Sequence, residues 1–138
     1  MAASGELTIT FPGGKRVDAT LGGRTIPTDQ PRTSGGDDSA PSPWSLFLAS
    51  IGTCAGIFVL SFCQRRGLPT EGLRLRQRVQ QDPESGALLS VELDIEVPPS
   101  FPEKYREALV RVADGCLVKR ALQAPPSIGV RTVVTPSP

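Results

Sequence analysis

The hydrophobic positions of this chain follow three patterns in turn. Leu7, Ile9 and Phe11 alternate with polar neighbours and place a strand over Glu6–Phe11. Pro12-Gly13-Gly14 is a turn, after which Val17, Ala19 and Leu21 resume the alternation. Gly22-Gly23 is a second turn, followed by a short segment around Thr25–Thr28, so an antiparallel meander is predicted, with Pro27 at an edge or end of its strand. From Asp29 to Pro43 the pattern disappears, and Pro31, Gly35, Gly36, Pro41 and Pro43 break any element. A loop this long in a compact domain is a functional loop or a plain surface connection.

Residues 44–63 then carry no charge at all, and this stretch holds Trp44, Cys54 and Cys63. It predicts a long central helix, buried on most sides and ended by Gly67-Leu68-Pro69. A membrane span is the alternative, favoured by length and by Arg65 and Arg66 after the run. Ser45, Ser50, Gly52, Thr53, Gly56 and Ser61 argue against it, as does the need of the neighbouring strands for a helix to cover their apolar face.

Beyond the helix, Leu73, Leu75 and Val79 share a face with Gln77, and Arg74, Arg76 and Arg78 share the other. Leu89, Val91, Leu93, Ile95 and Val97 answer them across the turn Asp82–Gly86, with Ser90, Glu92, Asp94 and Glu96 outward. A turn centred near Ser85 sets Arg74 against Glu96, Arg76 against Asp94 and Arg78 against Glu92, each pair contributing a few tenths of a kcal/mol. These arginines therefore have a structural role and make no anion site. Ser100-Phe-Pro-Glu103 reads as a capping box for a helix striped by Tyr105, Ala108, Leu109 and Val112. Asp114-Gly115 ends it. Cys116–Leu122 reads as a second short helix capped by Asp114 or Gly115, Ile128–Val134 as a final strand, and residues 135–138 as a frayed tail. The order is that of an α+β domain, antiparallel sheets packed with helices, and residues 1–138 read as a single domain.

Composition narrows the chemistry. A net charge of +1 makes no case for nucleic acid or an anionic membrane. With no histidine, Ser-His-Asp and Cys-His catalysis and histidine metal sites are excluded. Three separated cysteines without a CxxC are a poor metal site, and no metal or cofactor is expected. An odd number of cysteines and no legible secretory leader suggest a reducing compartment, the cytoplasm, and free or redox-active thiols.

The thiols can be sorted by helix geometry. Cys54 and Cys63 are nine residues apart on one helix, about half a turn out of phase and about 13.5 Å along the axis. A disulfide needs Cα atoms within about 7 Å, so those two cannot pair in an intact helix. A functional pair must join Cys116 to one of them. Cys116 stands at the predicted start of a helix, where free N–H groups favour a thiolate. Cys54 has the small neighbours Thr53, Ala55 and Gly56, which admit a substrate or another backbone. Cys63, between Phe62 and Gln64, reads as a small buried hydrophobe.

Two blocks carry a resemblance. Ser42-Pro43 with Leu46–Cys54 and Arg66–Gly72, and then Val112–Leu122 around Cys116, resemble the OsmC/Ohr superfamily in the right order and over nearly the whole chain. The resemblance implies an intertwined homodimer of α+β subunits with the two long helices central. It implies thiol-dependent reduction of organic hydroperoxides: Cys54 attacks the O–O bond and becomes a sulfenic acid, Cys116 resolves it as a disulfide, and an external dithiol reduces that bond. The family places an arginine beside the first thiol, and Arg16, in Gly13-Gly14-Lys15-Arg16, is its best match, with Lys15, Arg24 and Arg32 as rivals. The loop 29–43 would then lie near the active site. Two departures stand out. Trp44 follows Pro43 where the family has a glutamate, so that Asp37 or Asp38 would have to hold the arginine, and Leu117 replaces a frequent proline. A non-catalytic redox sensor or small-ligand binder on the same scaffold is the alternative function.

Overall fold

The structure is a computed structural model describing residues 5–136. The chain divides between Ile51 and Gly52 into two compact units. The fold is α+β, with two small antiparallel sheets.

In the first unit, strands β1 (Thr8–Gly13), β2 (Arg16–Leu21) and β3 (Arg24–Thr28) form the expected meander, in the order β1-β2-β3. Leu21 pairs with Arg24 across Gly22-Gly23, both at positive φ (53° and 77°). That is the backbone a two-residue hairpin demands and that only glycine adopts freely. Leu7, Ile9 and Phe11 are all exposed. After β3 the chain enters the loop, which contains one 3-10 turn at Arg32–Ser34.

Helix α1 runs Pro43–Arg65 and crosses from one unit into the other. By length and composition it could span a membrane. One stripe is buried, at Ile51, Ala55, Val59, Phe62 and Cys63, with the spacing of a helix face. The expectation of burial on most sides is corrected: Ile57 is 53% and Phe58 37% exposed. Among the described residues, full burial is confined to that one face of the helix. At its end the N–H of Gly67 donates to Gln64 and that of Leu68 to Cys63, with Gly67 at φ 62°. This paired closure is why Gly67 stands there.

The second unit holds the hairpin β4 (Arg74–Gln81) and β5 (Leu88–Glu96), in the register read from the charges: Arg74 opposite Glu96, Arg76 opposite Asp94, Arg78 opposite Glu92. The ion pairs are staggered, however. Arg74 and Arg76 share Glu96 at 2.6 and 2.8 Å, and Arg78 bridges Glu92 and Asp94. Long guanidinium arms reach diagonal neighbours as well as direct ones. A bulge between Gln80 and Gln81 shifts the register beside the turn, and Leu89 beyond it is exposed instead of inward.

The core gathers Val59, Phe62, Cys63, Phe101 and Leu109, flanked by Leu73, Leu75, Ile95 and Val97 of the hairpin segment. Phe62 meets the edge of Tyr105 at 5.9 Å, and the Arg66 guanidinium lies 3.8 Å over the Phe62 ring. Helices α2 (Arg106–Asp114) and α3 (Leu117–Gln123) complete the unit.

Three expectations fail here. The capping box at Ser100 does not form: a 3-10 turn over Glu103–Tyr105 precedes α2, and no side chain caps either element. The reason is Phe101, 3% exposed in the core, whose N–H turns back to Pro98 and holds Ser100 in that turn. Neither Asp114 nor Gly115 caps α3; Cys116 does. The final strand over Ile128–Val134 is also absent: those residues are irregular and exposed, because no strand among the described residues pairs with them. Of the tail, residues 137 and 138 lie outside those described.

Candidate functional site

Cys54 lies in the middle of α1, half-buried, between the exposed Thr53 and the buried Ala55. Gly52, two residues earlier on the helix, presses on the hairpin: a Cβ there would stand 2.5 Å from Gln77 Oε1. Gln77 is the polar member of the inner row of β4, and this close approach explains why α1 carries a glycine just before its cysteine.

Cys116 is 1% exposed and caps α3 with its own sulfur, which accepts the backbone N–H of Lys119 at 3.3 Å. Lys119 in turn pairs with Asp114. Cys63 is fully buried in the core, and burial pushes its thiol up from the ordinary value. All three cysteines are free thiols in this structure. Cys54 and Cys116 fall in the same compact unit.

Arg16 opens β2 in the first unit, next to the turn at Gly14-Lys15. Its Nη2 lies 3.4 Å from Asp18 Oδ2, and its side chain is 42% exposed. The second oxygen of Asp18 is buried with no partner among the described residues. Among the described residues, the carboxylate within ion-pair distance of Arg16 is that of Asp18. Residues two apart on a strand share a face, and Arg16-Val17-Asp18 carried that signal in the sequence. Asp37 instead approaches the turn itself, with Oδ2 3.9 Å from where a Cβ of Gly14 would be.

One residue escaped sequence reasoning entirely. Asp29, 1% exposed, organises the loop that follows it. Its Oδ1 accepts the N–H of Gln30 at 2.7 Å, and its Oδ2 accepts the Ser39 hydroxyl at 2.6 Å and the Ser39 N–H at 3.1 Å. The Ser39 hydroxyl, first among these donors, brings the carboxyl down to about 2. The Asp38 N–H closes on the Gln30 carbonyl at 3.0 Å. Gly36 is forced: a Cβ there would be 2.0 Å from the Gln30 carbonyl oxygen. The loop of residues 29–41 is thus a built, hydrogen-bonded structure. At its far end, Trp44 in the first turn of α1 is 42% exposed and stacks on Phe47 with ring centres 5.1 Å apart. Among the described residues, no three His, Cys, Asp or Glu side chains gather to hold a metal ion.

Comparison with known proteins adds a frame to this geometry. A family model described as "OsmC-like protein" matches residues 36–131, which include Cys54 and Cys116 but not Arg16. No curated protein matches the sequence. Among solved structures, an osmotic stress induced and detoxification response protein from Psychrobacter arcticus superposes with a TM-score of 0.73 at 18% identity, covering 88% of this chain and 90% of that one. An OsmC-like protein from Mycoplasma pneumoniae gives 0.69 at 14% identity, covering 91% of each. An organic hydroperoxide resistance protein from Legionella pneumophila gives 0.55 at 20% identity, covering 89% and 91%. At these identities the likeness is one of fold.

Proposed function

We propose, for a chain that belongs to the OsmC-like protein family, a thiol-dependent reduction of organic hydroperoxides in which Cys54 reacts first and Cys116 second. The observation that carries this reading is the difference in access: Cys54 has solvent exposure, while Cys63 and Cys116 are buried. A peroxide arriving from solvent meets Cys54 before either of the others. The name of the Legionella relative, an organic hydroperoxide resistance protein, supports the substrate class.

The Cys54 thiolate attacks the terminal, hydroxyl oxygen of R–O–OH; the O–O bond breaks, R–O⁻ leaves and takes a proton to become R–OH, and Cys54 becomes a sulfenic acid. The Cys116 thiol then attacks the Cys54 sulfur, a disulfide forms and water leaves. An external dithiol transfers two electrons and two protons, restoring both thiols and becoming a disulfide itself. Arg16, steadied by Asp18, is the cation assigned to the peroxide oxygens, in a homodimer of these chains. No metal or organic cofactor enters.

The test is thiol mass spectrometry after one equivalent of an alkyl hydroperoxide. A Cys54–Cys116 link is expected, and Cys54→Ser should abolish dithiol-dependent peroxide consumption while Cys63→Ser leaves it nearly unchanged. Undiminished consumption by Cys54→Ser would overturn the proposal.

Trp44 favours a second reading. An exposed indole stacked on Phe47 stands where the family has a carboxylate, and it suits a small-ligand binder or redox sensor that oxidises once without turning over. Many turnovers per chain in the presence of a dithiol would exclude that reading.

A further inference from the structure

The side chain of Arg16 is lightly held. Its ion pair among the described residues is one contact, 3.4 Å from Nη2 to Asp18 Oδ2, and 42% of the side chain is exposed. A guanidinium on so loose a tether points where its backbone sends it. Its aim therefore depends on whatever fixes the turn at Gly14-Lys15 and the first residues of β2.

The loop of residues 29–41 fixes both. At its root, Thr28 pairs with Val17, the neighbour of Arg16, and the Thr28 hydroxyl donates to the Val17 carbonyl. Thr28 and Asp29 are the buried polar residues among those described, 8% and 1% exposed. At its tip the loop comes back against the turn. A Cβ on Gly14 would stand 3.9 Å from Asp37 Oδ2, and one on Gly35 would stand 3.7 Å from Lys15 Cε. Arg16 thus lies between two braced points, Gly14 and Val17.

The tip stays on the turn only while the two arms of the loop stay together. Backbone bonds begin that closure: the Asp29 N–H donates to Pro41, that of Asp38 to Gln30 and that of Gly36 to Pro31, at 3.3, 3.0 and 3.2 Å. The Asp29 side chain completes it. One oxygen takes the Gln30 N–H of the outgoing arm, and the other takes the N–H and hydroxyl of Ser39 on the returning arm. Hydrogen bonds to an ionised carboxylate are about twice as strong as neutral ones. Asp38, beside Ser39, has φ 54°, and no other residue besides glycine among those described has a positive φ. Such a backbone costs about 1–3 kcal/mol and persists where its neighbours over-determine it. Here its own N–H and that of Ser39 are both bound.

We infer that Asp29 is a positioning residue for Arg16: by joining the two arms of the loop it keeps the loop braced on the turn, and the turn keeps the guanidinium aimed at the peroxide. Asp29 acts through Arg16 and not on the peroxide itself. This role rests on the reading that Arg16 serves the reduction of a hydroperoxide, and it names the residue on which that service depends.

Rapid-quench mass spectrometry of Cys54 oxidation tests it, with the reduced full chain and cumene hydroperoxide. Arg16→Gln should slow the oxidation about a hundredfold, and Asp29→Asn about tenfold. In the double variant the Asp29 substitution should add nothing further, because no guanidinium is left to aim. A loop that merely supports the fold would slow the reaction by the same factor with and without Arg16. Ser39→Ala should lose less than Asp29→Asn, and Ser39→Thr, which keeps the hydroxyl, should restore the native rate. Should Asp29→Asn fail to fold, Ser39→Ala takes its place in the same cycle and decides in the same way. If Arg16→Gln is oxidised as fast as the native chain, the peroxide reading of Arg16 falls and this role falls with it. If Arg16→Gln is slow but Asp29→Asn keeps the native rate, or if the Asp29 loss is the same in both backgrounds, the positioning role alone is overturned.

Discussion

The backbone N–H of Lys119 donates to Cys116 Sγ at 3.3 Å, so the sulfur proposed to resolve the oxidised thiol is also the N-cap of α3. Cysteine is an unusual cap, since the residues that usually fill this place offer oxygen. One side chain thus carries a structural duty that must be separated from any redox duty.

The choice of substitution separates them. Serine keeps a cap acceptor, whereas alanine leaves the N–H of Lys119 without one. Cys116→Ala should be less stable than Cys116→Ser by about 1 kcal/mol, read from urea denaturation of the reduced chain. Both should fail to form the link to Cys54. Equal stability of the two variants would mean that the contact contributes nothing as a cap.

Cys63 should be chemically silent in the folded chain. It is fully buried and its thiol is pushed up by that burial, so it offers little thiolate at neutral pH. Iodoacetamide at pH 8 should label Cys54 well before Cys63, and Cys63 should label only on unfolding. Replacing it with serine places a hydroxyl in an apolar core at a cost of about 1–3 kcal/mol. Labelling of Cys63 at the rate of Cys54 would contradict its placement.

Asp29 makes the loop acid-sensitive in a defined window. Its carboxyl goes from an ordinary value of 3.8 down to about 2 through the Ser39 and Gln30 donors. A depressed carboxyl stabilises the fold fully above its unfolded value, and that stabilisation is lost as pH falls through the folded one. The Asp29 contribution should therefore be intact above about pH 4–5 and fade towards pH 2. Asp29→Asn should lower the urea midpoint at neutral pH and flatten its dependence between those limits. An unchanged acid profile in that variant would show that the loop is held by other contacts.

Two glycines should respond differently to alanine. At Gly36 the obstacle is backbone, the Gln30 carbonyl oxygen at 2.0 Å from a Cβ, and the loop is closed on both sides by Asp29. Gly36→Ala should cost about 1–3 kcal/mol or more. At Gly52 the obstacle is the end of a glutamine side chain. Gly52→Ala alone should be close to neutral or mildly destabilising, because the gain of about 1 kcal/mol in helix propensity opposes the clash. Adding Gln77→Ala should release that gain, giving a favourable coupling of about 0.5–1 kcal/mol in a double-mutant cycle. Strict additivity would mean that Gln77 simply moves aside.

What could be read from the sequence was whatever neighbours along the chain decide. The β4–β5 register was legible because the turn residues and the charge pattern on both arms agree, and a two-residue period leaves little choice of face. The meander, the helix end at Gly67 and the phase that separates Cys54 from Cys63 are local in the same sense. The two cysteine blocks carried the family through their spacing. Tertiary structure decided the rest. Phe101 entered the core and undid a capping box that Ser100 and Glu103 spelled out, because burying a ring outweighs one cap. Asp29 looked like an ordinary loop aspartate until the chain brought Ser39 back to it across ten residues. The bare face of α1 and the unpaired Ile128–Val134 could not be foreseen from periodicity, which says that a side is apolar and never what covers it. A strand is stable only beside another strand, and no pattern within a segment states where that neighbour lies.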